Sequence, residues 1–280
     1  MSLTVGDIIT LDIGTIANGG HFIARHNDQI IFVRHSITGE KANVKITAVN
    51  SKFAFGDAVE ILKKSKDRVN APCKYAHPEG CGGCDFQHID LKTQLNFKKI
   101  VIQDQFKRIA KIDINPDLIS ADLNNGLNWR SRLNLGISEN KKLGLRSHKS
   151  NKIIEIDECL IALKEINNLD VFNKHWENND NIKISCSSEN DITISHLGGK
   201  ISGSDKLQEV VGDNKFNISP QSFWQSHKSA PGIILEQVLK FANIKKGERV
   251  CDLYGGVGLF TLPISKIIGE NGEVHLIETN

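Results

Sequence analysis

Apolar and polar positions alternate with period two through the first 65 residues, and the period then changes twice. Ile8-Ile9-Thr10-Leu11-Asp12-Ile13 is followed by Gly19-Gly20, Phe22-Ile23-Ala24-Arg25, an Asn27-Asp28 turn pair and Ile30-Ile31-Phe32-Val33. Ala42, Val44 and Ile46 alternate again, as do Val59 and Ile61. Short strands separated by turn residues predict a small barrel. From Asp90 to Lys111 the spacing becomes helical: Leu91, Leu95, Ile102, Phe106 and Ile109 share one face, expected to pack on a core. Residues 125–205 return to short strands, punctuated at Asn179–Asn181, Ser187–Asn190 and Gly198–Gly199, and predict a mixed or mostly β domain. After Pro220 helices and strands alternate. Pro231 opens a helix to Phe241, with Ile234, Leu235, Val238 and Leu239 as its buried face. Arg249–Leu253 reads as a strand, Phe260–Ile268 as a helix and Glu273–Ile277 as a second strand.

Composition adds limits rather than an identity. With 280 residues and 39% hydrophobic content, the chain can bury more than one core, so two or three domains are expected. The start, MSLTVGDIIT, has neither the basic nor the apolar region of a signal peptide, and no apolar run reaches membrane-spanning length. A cytoplasmic protein without membrane contact is the expectation. The net charge of +2 is nearly balanced, but basic residues cluster at Lys63–Arg68, Lys98–Lys111 and Arg130–Lys152. Such clusters either steer an anionic partner or are solvated faces.

The cysteines change the picture more. Of six, three fall in CKYAHPEGCGGCDFQH as Cys73, Cys81 and Cys84, the last two in a C-x-x-C pair. In a reducing compartment disulfides are disfavoured, and the third cysteine upstream favours a metal site over a redox dithiol. Cys251 lies inside a predicted strand and is expected to be a small buried residue. Cys186 has no His or acid in register, so neither is expected to do chemistry.

A second constellation lies at the carboxyl end. Asp252-Leu253-Tyr254-Gly255-Gly256-Val257-Gly258 joins strand to helix, and Glu278 follows the next strand twenty positions beyond Gly258. Glycines allow close backbone approach to a ligand, and an acid at that position can accept hydrogen bonds from ribose hydroxyls. The loop reads Asp-x-Tyr-Gly-Gly-x-Gly rather than Gly-x-Gly-x-x-Gly, with no third glycine in place for a dinucleotide pyrophosphate, and with an acid closing the first strand this favours S-adenosylmethionine over NAD. Asp252 could order the loop or meet the ligand's amino group.

In order along the chain, these motifs resemble one family, the uracil-C5 RNA methyltransferases, particularly their iron–sulfur-bearing branch. IIFVRHSITGEKANVKIT resembles a TRAM domain, an OB-like barrel. CGGCDFQHI is similar to the family's cluster segment, and Arg130-Ser131-Arg132 with LGLRSHKSNKIIEIDEC is similar to its central domain. FNISPQSFWQS and DLYGGVGLFTL resemble the cofactor region. The resemblance implies a multidomain protein: a TRAM-like barrel over 1–65, a mixed α+β iron–sulfur domain over 66–215, and the start of a Rossmann-like methyltransferase domain over 216–280. It implies Cys73, Cys81, Cys84 and Cys159 as ligands of a 4Fe–4S cluster, with zinc as the alternative. It also implies S-adenosylmethionine held by Gln225, Asp252, Tyr254, Gly255, Gly256, Gly258 and Glu278. His88, Arg130 and Arg132 are the candidate RNA contacts, against packing for His88 and surface salt bridges for the arginines. Phe223 and Trp224 are expected in the core.

The implied activity is formation of 5-methyluridine in rRNA or tRNA through a cysteine adduct at C6 of a flipped or unpaired uridine, by a protein expected to be a monomer. Two departures stand out. The first cysteine interval has seven intervening residues where the family usually has five. The family's catalytic cysteine and its acidic partner are expected beyond the second cofactor-domain strand, so the sequence reads as an amino-terminal portion, inactive alone and with no catalytic residue of its own. A non-catalytic RNA-binding module with a structural metal, or a zinc-ribbon-like interaction protein, are the rival readings.

Overall fold

The computed structural model describes residues 3–121, 125–177, 181–196 and 199–279, so Asn179 and Gly198 of the expected turns lie outside the described residues. The chain divides into two units, Met1–Ser120 with Leu145–Ile154, and Ala121–Gly144 with Glu155–Asn280.

In the first unit five strands, β1 (Ile8–Asp12), β2 (Phe22–His26), β3 (Gln29–Arg34), β4 (Lys41–Val49) and β5 (Phe53–Lys63), form one sheet in the order β1-β4-β5-β3-β2. Only β3 and β5 pair in parallel. The Asn27-Asp28 turn joins β2 to β3 with both residues at positive φ, the backbone a two-residue hairpin requires. Period-two burial holds where it was expected: Leu11, Phe22, Ile31, Val33, Ala42, Val44, Ile46 and Ala54 form one core. It fails at Val59, which is 44% exposed. There Asn43 pairs with Glu60 and Val44 with Ala58, so Val59 is the extra residue of a bulge and leaves the alternation.

Two buried ion pairs complete this unit. Arg34 meets Asp57 with Nε–Oδ1 at 2.8 Å and Nη2–Oδ2 at 3.0 Å. Glu40 accepts from Arg68 Nε and Nη2 at 2.6 and 2.7 Å and from the Ile37 and Ser65 amides, which ties the β3–β4 turn to the segment after β5.

The predicted helix appears as α1 (Leu91–Gln105), capped by Asp90, whose side chain accepts from the Thr93 amide. A π-helical turn, Phe106–Ala110, follows it. The buried face differs from the expected one. Phe97 is the buried residue, edge-on to Phe22 at 5.2 Å, with Ile100 and Val101 beside it on the barrel core, while Ile102, Phe106 and Ile109 are exposed. The sequence offers two apolar stripes on this helix, and the barrel surface selects the one carrying the aromatic ring. Ile89 and Phe97 thus share the barrel's core.

The second unit is built on a six-stranded sheet. Its strands are β6 (Arg132–Ile137), β7 (Leu143–Arg146), β8 (Ile153–Glu155), β9 (Ile182–Cys186), β10 (Ile192–His196) and β11 (Gly199–Gly203), in the order β11-β10-β9-β6-β7-β8. The tip of the β7–β8 hairpin, Leu145–Ile154, counts with the first unit. A short helix, α2 (Lys164–Asn167), precedes β9, and a separate hairpin of β12 (Leu207–Val211) and β13 (Asn214–Ile218) follows β11. Next come α3 (Ala230–Ala242), β14 (Arg249–Leu253), α4 (Thr261–Ile268) and β15 (Glu273–Ile277). Strands β14 and β15 pair in parallel, the strand–loop–helix–strand order expected from sequence. Pro231 sits in the first turn of α3 and Leu235 is buried against Phe216, Trp224 and Leu259. Among the described residues no helix is long and apolar enough to cross a membrane.

Candidate functional site

The glycine loop between β14 and α4 is organised by three sets of hydrogen bonds. Asp252 accepts from the Thr261 hydroxyl at 2.6 Å, so its carboxylate ties the end of β14 to the start of α4 and orders the loop. The amides of Tyr254 and Gly255 both donate to the Ile277 carbonyl, at 2.8 and 3.2 Å. Gly256 donates to the carboxylate of Glu278 at 2.9 Å, which brings the acid at the tip of β15 directly onto the loop. Backbone shape explains the residue choice. Gly258 has φ +83, and a Cβ on Gly255 would stand 2.7 Å from Leu276 Cγ. Tyr254 is also left-handed at φ +62, and the residue is 81% exposed. Asp252, Tyr254, Gly255, Gly256, Gly258 and Glu278 therefore belong to one loop.

Ahead of this loop runs a strap, Ser222–Lys228, laid along the residues that enter β6. The Ser131 amide and hydroxyl both donate to the Ser226 carbonyl, at 2.7 and 3.1 Å. The Lys228 amide donates to Trp129 O, and Trp129 stacks on His227 with centroids 5.2 Å apart. Arg132 Nη1 donates to Ser222 O at 2.7 Å. Gln225 is half-buried in the middle of the strap. Its neighbours separate: Trp224 is buried as expected, but Phe223 is 77% exposed, because successive residues of an extended strap point to opposite sides.

Arg132 is the unusual group here. Its Nε and Nη2 are buried and, among the described residues, have no hydrogen-bond partner. Burial lowers its pKa, with the charge of Glu209 opposing the shift; a guanidinium stays protonated regardless. Arg130 instead turns its Nε onto the Arg132 carbonyl at 2.9 Å. Glu209 escaped the sequence reading. It is buried, its Oε2 accepts from the Ser188 amide at 3.0 Å, and its Oε1 has no partner among the described residues. Burial pushes its carboxyl up, against hydrogen bonds from Ser188. The signal was present in LQEVV, where an acid occupies an inward position between Leu207 and Val211. A cavity of about 150 Å³ beside it is lined by Ser131, Cys186, Glu209 and Trp224 among others.

The cysteines expected to bind a metal are divided between the two units. Cys73, Cys81 and Cys84 lie in the first unit and Cys159 in the second, and among the described residues no three Cys, His, Asp or Glu side chains come together as a metal site. Within the 73–84 loop the Cys81 amide donates to Tyr75 O, and Gly83 N to Cys81 Sγ at 3.3 Å. Cys159 is buried, and its amide and carbonyl are both bonded by the Asn167 side chain. His88 is also internal. It is 7% exposed, with Nε2 3.2 Å from the Ser36 carbonyl and its ring against His35, so this ring is not presented to a base. Cys186 is buried, and burial pushes its thiol up to about 11, as suits an inert residue. Cys251 is exposed rather than buried, because β14 leaves the face carrying Arg249, Cys251 and Leu253 uncovered.

Comparison with known proteins matches residues 2–59 to the TRAM domain. An RNA methyltransferase of Streptomyces coelicolor is 30% identical across 98% of this chain and 69% of its own length. One from Corynebacterium efficiens is 31% identical across 99% of this chain and 70% of its own length. The crystal structure of the Pyrococcus abyssi tRNA (uracil-54, C5)-methyltransferase in complex with S-adenosyl-L-homocysteine shares the fold. Its TM-score is 0.64 at 17% identity, over 96% of this chain and 79% of that one.

Proposed function

The chain belongs to the family of RNA methyltransferases, and from that premise we propose that it takes part in S-adenosylmethionine-dependent methylation of RNA at uracil C5. The observation that carries the reading is the loop itself, with Gly256 bonded to Glu278 across the ends of two parallel strands. S-adenosylmethionine, when bound there, supplies the methyl group. Glu278 is the acceptor for ribose hydroxyls, exchanging part of its bond to Gly256 for them. Gly255 and Gly258 let the backbone close on the ligand, Tyr254 offers an exposed ring for the adenine, and Asp252 keeps the loop in place through Thr261. Gln225, on the strap ahead of α3, is the proposed further contact.

On the RNA side, Arg132 is the stronger of the two arginines. Its unpartnered, buried Nε and Nη2 are donors suited to a carbonyl of a uracil ring or a phosphate, whereas Arg130 spends Nε on the Arg132 carbonyl. Leaving such donors unmet is costly in a folded chain, which favours an outside acceptor. The resemblance to the uracil-C5 enzymes extends the reading to a transient cysteine adduct at C6; neither Cys186 nor Cys251 is assigned that role. It also supports a structural 4Fe–4S cluster, or zinc, on Cys73, Cys81, Cys84 and Cys159, which metal analysis of the purified protein tests.

The main test pairs two measurements on the same preparation. Calorimetric titration with S-adenosyl-L-homocysteine reads the loop, and transfer of labelled methyl groups into RNA, followed by nucleoside analysis, reads the reaction. Binding of the homocysteine ligand without NAD affinity is the expected result of the first measurement; in the second, 5-methyluridine is the expected nucleoside wherever label enters RNA. Absence of binding, or label in another nucleoside, overturns the reading.

A further inference from the structure

Glu209 is a buried acid to which the proposed function gives no role. On β12 it alternates in step with the buried Leu207 and Val211, so the strand turns its carboxylate inward with them. Only 5% of the residue is exposed. Its Oε2 accepts from the Ser188 amide at 3.0 Å, and the Ser188 hydroxyl accepts from the Val210 amide at 2.7 Å. These two bonds dock β12 onto the turn that follows β9. The other oxygen, Oε1, has no partner among the described residues.

The same turn leads back to Arg132. Ser185 on β9 pairs in register with Arg132 on β6, and the Cys186 amide donates to the Ser131 carbonyl at 2.9 Å. Ser131, Cys186, Ser188, Glu209 and Trp224 line one cavity of about 150 Å³. Arg132 spends Nη1 on the Ser222 carbonyl at 2.7 Å and keeps its two other buried donors unmet. Two groups of opposite charge, each with an unmet buried atom, therefore stand at the junction of β6, β9 and β12. Burial, the larger effect, lowers the Arg132 pKa and raises that of Glu209, and each group's charge opposes the shift in the other. A guanidinium keeps its charge when buried, so holding it away from water is costly unless a counter-charge compensates.

We propose that Glu209 is a positioning residue, whose carboxylate is the counter-charge that keeps the Arg132 guanidinium seated against the strap and ready for RNA. The inference rests on the reading of Arg132 as an RNA contact; Glu209 itself touches no RNA. Acting by charge rather than by a bond suits this role. A carboxylate bonded to the guanidinium would occupy the donors that an incoming acceptor needs, whereas Nε and Nη2 remain unmet here. The bond from Ser188 holds the carboxylate where its charge is felt and its Oε1 is not spent.

The test uses the full chain, fluorescence anisotropy and an unpaired, uridine-containing RNA. Glu209→Gln removes the charge but keeps an acceptor for the Ser188 amide. It is expected to weaken RNA binding about fivefold, the coupling of residues in one charge network. That sign is informative, because loss of a negative charge would by long-range attraction alone strengthen binding to RNA. Glu209→Asp keeps the charge on a shorter side chain and is expected to retain most of the affinity. In the Arg132→Met background Glu209→Gln is expected to have no further effect. One cooperative thermal transition and unchanged S-adenosyl-L-homocysteine affinity exclude misfolding as the cause. Wild-type or tighter RNA binding by Glu209→Gln overturns the inference, as does the same loss in the Arg132→Met background. So does a Glu209→Asp variant weaker than Glu209→Gln, which would mark the bond to Ser188 as the whole role. Each of these leaves Arg132 as the RNA contact, whereas wild-type RNA binding by Arg132→Met overturns that assignment and this inference with it.

Discussion

The amide of Gly256 donates to the carboxylate of Glu278 at 2.9 Å although the residues are 22 positions apart. One short bond therefore joins the glycine loop to the acid proposed as the acceptor for the ribose hydroxyls. Glu278→Ala is expected to lower affinity for S-adenosyl-L-homocysteine about tenfold, the size of one charge-assisted hydrogen bond. Glu278→Gln, which keeps an acceptor, should lose less. Calorimetric titration of both variants checks the order.

Arg132, the proposed RNA contact, should set function against stability. Its unmet buried donors are a liability in the free protein. Arg132→Met is expected to weaken binding of an unpaired, uridine-containing RNA about tenfold without lowering the thermal midpoint or the affinity for the homocysteine ligand. A fall in the midpoint would mark Arg132 as structural.

The Arg34–Asp57 pair behaves differently, because its charges satisfy each other. Its side chains are only 7% and 11% exposed. Asp57→Ala strands a buried guanidinium and is expected to cost about 3–5 kcal/mol. Pairing it with Arg34→Met should recover most of that loss. Urea unfolding of the single and double variants measures the difference.

Stability should fall on mild acidification. Burial, aided by the charge of Arg34, lowers the His35 pKa to about 4, and burial lowers that of His88 to about 4 against its bond to Ser36. In the unfolded chain both return towards the ordinary value of 6.5. The unfolded state then binds more protons between pH 6.5 and 4, so the contribution is complete above that window and lost as pH falls through it. Glu40 adds a second, more acidic loss. Burial raises its pKa, but the bonds from Arg68, Ser65 and Ile37 outweigh burial and leave it lowered. Thermal midpoints across this range, compared with His88→Gln and Glu40→Gln, should show each step reduced in its own variant.

Alkylation separates two cysteines that look alike in sequence. Iodoacetamide at neutral pH is expected to label exposed Cys251 and to leave Cys186, buried with its thiol pushed up to about 11, unmodified until the protein unfolds. Peptide mass spectrometry reads both sites at once, and Cys186→Ala should keep full affinity for the homocysteine ligand.

The sequence by itself determined the local elements and the ordered motifs. Period-two runs gave β2, β3 and β4, Asn27-Asp28 gave their hairpin, and strand, glycines, helix and Glu278 gave the carboxyl-terminal loop, because periodicity and turn chemistry are local properties of a chain. Tertiary structure alone decided which of several apolar stripes is buried. Phe97 rather than Ile102 faces the barrel, Val59 leaves its strand at a bulge, and Cys251 is exposed on an uncovered face. It also decided the polar pairings. Nothing local announces that Glu40 would meet Arg68, that His88 would turn inward to Ser36, or that Arg132 would keep two donors unmet near a buried Glu209. Burial and pairing depend on what arrives from distant parts of the chain, and one strand's alternation does not carry that information.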